Sequence, residues 1–378
     1  MRFYVKNKDI ILAVVAYNGF MFVIEDINYS VANINVLRFL QSNEDFNAWL
    51  NRRQSPFSRK NTHELFKESS IKNIIDFITI SKCLSLNDTF WICSISDNLK
   101  WKDVSLYSNH FSRVLTNIAW GSYNLDGRVV KTSSPEFCTN GVSTKCWQRF
   151  NDNIYLLKSK GGLSELEYSN VYSEYFASQL AEFLGFNHVD YTLRKKSGIL
   201  ASCSKLFTSE LIGFVSMSEL FGDSSCGDID LDIKCLSSLP NSFKILYDYR
   251  CLLLFDCLIH NPDRHTENYG LLFNTDTFEI IGLAPIFDND NSLFNTIPLC
   301  KRSKDYIKEK VNSIYPKTYS GTFIQQAKFC LNDELYFKLK SVGSDFSFKN
   351  SVEFPLNKER VDMLSFLVRM TAKSIIKN

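Results

Sequence analysis

The sequence predicts an α+β protein of two domains, and three observations carry that prediction. Its 378 residues exceed one typical domain of about 100–150 residues. Short strand-like runs stand beside stretches with apolar residues at helical spacing. A polar, turn-rich break between Gly121 and Ser134, containing SYNLDGRVVKTSS, separates an opening segment from the remainder.

Composition narrows the functional classes. With 45% hydrophobic, 14% aromatic and 22% charged residues, the chain reads as an ordinary globular protein rather than a disordered, collagenous or coiled-coil one. A net charge of +2 does not give the strong basic field that nucleic-acid binding relies on, so none is expected. The basic residues Lys301, Arg302, Lys304, Lys308 and Lys310 read as a solvated helix face. Eleven cysteines, odd in number and without a CxxC pair, read as reduced thiols of a cytoplasmic protein. Asp9 interrupts the apolar run near the start, so the opening does not read as a secretory leader. The longest apolar runs, of about eight residues, fall short of the roughly 20 a membrane helix needs.

In chain order, Ile10–Ala16 and Phe20–Ile24 read as strands around a turn at Asn18 and Gly19. Helical spacing follows at 61–69 and 71–80, and then the aromatic-rich LSLNDTFW over 84–91. Trp91, Trp101 and Trp120 read as core rather than as a ligand wall. After the break, Asn151–Lys158 is a strand, Glu165–Leu184 a long helix, and Val189–Leu193 with Ile199–Leu206 a hairpin across Lys196, Ser197 and Gly198. A second apolar helix runs from about Phe243 to Ile259.

The chemistry concentrates just beyond that helix. Phosphoryl transfer needs a carboxylate to orient or deprotonate the attacking hydroxyl, oxygen ligands for magnesium and a cation on the nucleotide phosphates. Asp263 and Asn268 have the five-residue spacing of a kinase loop. That spacing alone carries no weight, because Asp256/Asn261, Asp290/Asn295 and Asp345/Asn350 share it. The setting separates the first pair: a helix ends at His260, Pro262 prevents its continuation, and apolar arms at 269–273 and 278–283 flank Asn274, Thr275, Asp276 and Thr277. A hairpin of that length returns the chain beside its start and brings Asp288 near Asn268. Together they make a hard-oxygen site of the kind magnesium takes, while capping or turn roles for Asp263 and Asp288 stay open at this point.

NPDRHTENYGLL followed by LAPIFD resembles the catalytic and metal-binding segments of the HipA-like serine/threonine kinases, bacterial kinases distantly similar to the phosphoinositide kinases and often the toxins of toxin–antitoxin systems. The resemblance implies a bilobal protein-kinase-like fold with an additional amino-terminal α/β subdomain. Residues 1–123 would be that subdomain, 124–210 the kinase N-lobe and 211–378 a mainly helical C-lobe. Asp263 would be the catalytic base, and Asn268 and Asp288 the magnesium ligands. Lys158, ending IYLLK, resembles the lysine that holds the nucleotide phosphates, and Glu174 the helix glutamate that pairs with it. Within NGVSTKCW, the residues Gly141, Ser143, Thr144 and Lys145 resemble the family's phosphate loop, with Ser143 the candidate for autophosphorylation. The hinge that hydrogen-bonds adenine would fall at Ser204–Leu206, and KCLSLNDTFWI with KWKDVSLY resembles the amino-terminal part of some members.

The implied activity is ATP- and Mg2+-dependent transfer to a serine or threonine of a protein substrate, with an antitoxin as partner and no membrane association. Three rival readings remain at this point. One is a metal-dependent hydrolase or a zinc site built from His260, Asp263 and His265, although the spacing is not that of a helical HExxH pair. Another is a small-molecule phosphotransferase, which uses a similar HxDxxxxN loop; here His260 lies one position too far upstream. The third is a kinase fold used only as a non-catalytic nucleotide-binding module.

Overall fold

The computed structural model describes residues 1–28, 30, 35–122, 129–160, 169–222, 227–297, 304–311, 313–318 and 321–377. Its first half runs β1 (Arg2–Asn7), β2 (Ile10–Tyr17), β3 (Phe22–Ile27), α1 (Asn43–Arg53), α2 (Thr62–Glu68), α3 (Ile74–Ser81), β4 (Phe90–Ser94), α4 (Trp101–Val104), α5 (Arg113–Trp120), β5 (Thr144–Phe150) and β6 (Asn153–Ser159). Then come α6 (Ser169–Leu184), β7 (Tyr191–Lys196), β8 (Ile199–Lys205), β9 (Ile212–Ser216), α7 (Met217–Phe221), α8 (Ile229–Ser237), α9 (Ser242–Ile259), β10 (Gly270–Asn274), β11 (Ile280–Leu283), α10 (Lys304–Lys310), α11 (Phe323–Cys330), α12 (Asp333–Asp345) and α13 (Lys358–Ile376). By mutual contact the chain divides into two units. The first is Met1–Lys158 with Leu206–Val215 and Leu272–Ile281, and the second is Ser159–Lys205 with Ser216–Leu271 and Gly282–Asn378.

In the first unit β3, β2, β1 and β4 form an antiparallel sheet in that order. Val5 sits opposite both Ala13 and Ile92. The sequence reading missed β1, because Arg2, Lys6 and Asn7 dilute its alternation. It also began β3 two residues early: the Asn18 side chain accepts from the amides of Phe20 and Met21 and keeps them in the turn. Asn73 caps Ile75 and Asp76 in the same way, so α3 begins at Ile74 rather than at 71. Trp91, Trp101 and Trp120 are all buried. Trp91 donates to the carbonyl of Lys8 at 2.7 Å and Trp101 to Glu210 at 3.0 Å, so their polar edges are satisfied inside the core.

β5 and β6 are neighbours, joined through Asn151 and Asp152, which both take positive φ. β5 itself was not read from the sequence, since its first two residues lay inside the expected phosphate loop. β10 is the middle strand between β9 and β11. The hairpin tip belongs to the first unit: Asn7 donates to the carbonyl of Thr275 at 2.7 Å, and Phe90 stacks on Phe273 and Phe278, each at 6.2 Å. Phe278 has φ 61°, so the second arm starts at Ile280 instead of 278.

The second unit is built on α9, with α8, α11 and α13 packed against it. Every residue from Cys251 to Ile259 is buried, the pattern of a helix enclosed on all sides. β7 and β8 pair antiparallel through a two-residue turn in which Ser197 and Gly198 both have positive φ, the geometry that suits a tight hairpin. α6 begins at Ser169, and the first residues of the helix expected from Glu165 lie outside the described residues. So do Lys301 and Arg302 and the expected boundary at 123–124; Lys304 and Lys308 are exposed on α10. Cys83, Cys93, Cys138, Cys203, Cys251, Cys257 and Cys330 are free thiols. Among the described residues no helix is long and apolar enough to cross a membrane.

Candidate active site

α9 ends where His260 turns left-handed at φ 50°, its amide still bonded to the carbonyl of Asp256. The chain then leaves the helix into a loop that its own side chains brace. Asn261 donates to Asp256 at 3.2 Å and accepts from the Asp263 amide at 3.1 Å. At the far end of the loop, the Tyr269 and Tyr249 hydroxyls both donate to the buried Asp232 of α8.

Arg264 is the brace at the centre. Its Nε and Nη2 grip the two oxygens of Asp256 at 2.9 Å each. Nη1 donates to the carbonyls of Asn268 at 3.1 Å and Phe287 at 2.6 Å, and Nη2 also reaches Asn289 at 2.7 Å. A guanidinium has five N–H donors, and all five are used. Burial works against the charge, but Asp256 outweighs it and holds the guanidinium above its ordinary value. The sequence reading passed over both members of this pair, and Asp256 lies in one of the D-x4-N pairs set aside as uninformative.

Through Arg264 the backbones of Asn268 and Phe287 meet at one nitrogen, so the hairpin does bring residue 268 and the approach to Asp288 together. Two further contacts fix that approach. Ile286 pairs with the 187–189 segment, and the Asp288 amide donates to the Tyr191 hydroxyl at 3.2 Å. Asp288 has φ 55°, a left-handed conformation unusual for a residue with a side chain.

Asp263 lines a cavity of about 310 Å³ together with His260, Pro262, Asn291, Phe294 and Ile297 among others. Asn291 donates to one of its carboxylate oxygens at 2.7 Å and Lys317 to the other. Burial would raise the Asp263 carboxyl, yet the bonds from Lys317 and Asn291 and the lysine's charge prevail and leave it below the ordinary aspartate value. Asn291 in turn accepts from Lys160 at 3.3 Å and Asn295 at 3.4 Å. Neither Asn291 nor Lys317 carries a readable motif.

His260 does not form the zinc site considered from sequence. Its ring is buried and lies edge-on to Phe294 and Phe323, each at 5.3 Å. Burial, outweighing the backbone at Leu258 and Val311, lowers it to about 4, so the ring is neutral at neutral pH. Among the described residues no three His, Cys, Asp or Glu side chains converge on a metal position. The oxygen donors of Asn268 and Asp288 suit a hard cation that completes its shell with water and phosphate.

The remaining expected residues divide between the units. In the second, Glu174 is buried on α6 and accepts from the Ser202 hydroxyl, while Ser204 pairs with Tyr191 in the β7–β8 ladder. In the first, Lys158 is buried on β6, and the Leu206 amide donates to the carbonyl of Ile154 at 2.8 Å. Gly141 has φ 86°, and a side chain there would place its Cβ 2.5 Å from the Lys145 ammonium. Lys145 donates to the carbonyl of Asn140 at 2.7 Å, and its own carbonyl accepts from Arg59 at 2.8 Å. Ser143 is buried and Thr144 opens β5.

The fold matches HipA of Shewanella oneidensis MR-1, solved in a toxin–antitoxin complex with HipB and operator DNA, at a TM-score of 0.58 over 98% of this chain and 96% of that one, with 11% identity. The chain therefore has a HipA-like fold. The Helicobacter pylori proinflammatory kinase CtkA is similar over 63% of this chain and 90% of its own, at 15% identity and a TM-score of 0.49. No family model matches the sequence, and no curated protein matches it either.

Proposed function

We propose that the chain is an ATP- and Mg2+-dependent serine/threonine protein kinase of the HipA-like type. The observation that carries this reading is Asp263: a partly exposed carboxylate lining a cavity and bonded by Lys317 and Asn291, on a loop that Arg264 locks to residues 268 and 287. Asp263 accepts the proton of the acceptor hydroxyl as that oxygen bonds to the γ-phosphorus and the bond to the β–γ bridging oxygen breaks, ADP leaving with the electron pair. Asn268 and Asp288 would hold magnesium, which when bound supplies charge neutralisation at the phosphates. Lys158 would bind the nucleotide phosphates together with Gly141, Ser143, Thr144 and Lys145, and Glu174 is the glutamate that the resemblance assigns to the lysine. Backbone groups near Ser204 and Leu206 take the adenine. Ser143 is the autophosphorylation candidate, an antitoxin the expected partner and the cytoplasm the expected site of action.

Transfer of labelled γ-phosphate by wild type, Asp263→Asn and Asp288→Ala tests the reading. Asp263→Asn should lose at least about 10²-fold, the range for removing a positioned acid–base group, and Asp288→Ala should lose activity because the magnesium site is short of a carboxylate. Equal activity in all three sinks it. Comparing phosphoproteins in cells expressing wild type and Asp263→Asn identifies the acceptor.

A further inference from the structure

The cation on Asp263 does not belong to the catalytic loop. Lys317 comes from the segment ahead of α11, more than 50 residues downstream in sequence, and its ammonium rests on the carboxylate oxygen that Asn291 leaves open. Both groups remain accessible, with side-chain exposures of 55% for Lys317 and 36% for Asp263. A ligand arriving at the aspartate therefore meets the lysine as well.

Phosphoryl transfer through a loose transition state spreads negative charge over the three equatorial oxygens, and positioned cations supply most of the catalysis. The arginine beside the aspartate cannot serve, since all five of its donors are bound to Asp256, Asn289 and two carbonyls. Lys317 has no such commitment. An ammonium on a flexible four-carbon stem can change partners with little rearrangement, and its resting partner is the group that faces the reacting hydroxyl.

Resting on the kinase reading above, we propose that Lys317 is a further catalytic residue, which releases Asp263 when nucleotide binds and contacts the transferring phosphoryl oxygens. It exchanges no atom. The phosphorus passes from the bridging oxygen to the acceptor oxygen, the proton goes to Asp263, and Lys317 follows the negative charge. Besides Lys317, the groups that act on Asp263 are Asn291 by hydrogen bond, His265 through space and Lys160 by way of Asn291.

The test compares full-length wild type, Lys317→Met, Lys317→Arg and Asp263→Asn, using γ-labelled ATP with both water and dephosphorylated casein as acceptors and a thermal melt for each protein. Lys317→Met should lower kcat by about 10²–10³-fold, the range for losing one transition-state donor, with KM for ATP within about threefold. Lys317→Arg should recover most of the rate. The acidic limb of kcat should move to higher pH in Lys317→Met, because the ammonium that keeps Asp263 ionised is gone; a purely structural role would leave that limb in place. If Asp263→Asn is dead while Lys317→Met keeps wild-type kcat and limb, or runs faster, Lys317 has no catalytic role. If Asp263→Asn is as active as wild type, the kinase reading itself falls.

Discussion

Two buried residues carry testable energetics of their own. Arg264→Ala removes five hydrogen bonds at once and leaves Asp256 buried without its counter-charge, so a loss of about 3–5 kcal/mol is expected in urea unfolding. Arg264→Lys should not rescue it, because one ammonium cannot span Asp256, Asn289 and two carbonyls. His260 gives a pH signature. Its folded value of about 4 lies below the unfolded value of about 6.5, so between these the unfolded state binds the extra proton. Stability should therefore fall as pH drops from about 6.5 toward 4, by about 3 kcal/mol over the window. Equilibrium unfolding across pH checks this, and His260→Phe should flatten the dependence. Asp263 was legible because a proline-stopped helix precedes it and a hairpin follows. Asn291 and Lys317 were not, since one lies in an irregular segment and the other far along the chain, and only the tertiary fold brings them to the carboxylate.

Among the elements, the long apolar helix, the β7–β8 hairpin and the β10–β11 hairpin could be read from periodicity and turn residues. Their limits shifted where a side chain captured a backbone amide, as Asn18 and Asn73 do, or where one residue turned left-handed, as Phe278 does. Such local bonds compete with strand and helix without changing the hydrophobic pattern. β9 holds a residue whose need for glycine is invisible in the sequence. A Cβ at Gly213 would lie 2.3 Å from the ring of Phe273. Gly213→Ala should cost about 1–3 kcal/mol by overpacking. Adding Phe273→Leu should return part of that loss, and a double-mutant cycle in chemical denaturation measures the coupling.

For the whole molecule, nucleotide should act on stability by mass action. ATP with Mg2+ at about 100 times its Kd should stabilise the protein by about 2.7 kcal/mol. EDTA, or the pair Asn268→Ala and Asp288→Ala, should shrink that shift in a thermal melt, while an unchanged shift would remove these residues as metal ligands. The composition of the first unit has another consequence. It is assembled from three separate stretches of chain, the last being Leu272–Ile281. Until that stretch exists, Phe90 lacks both of its stacking rings and Asn7 lacks the carbonyl of Thr275. Synthesis at about 5–20 residues per second then leaves the amino-terminal sheet waiting on the order of ten seconds for its final pieces. A nascent chain arrested before Leu272 would lack these partners of Phe90 and Asn7, and a chaperone that shields apolar side chains would have its interval of work there.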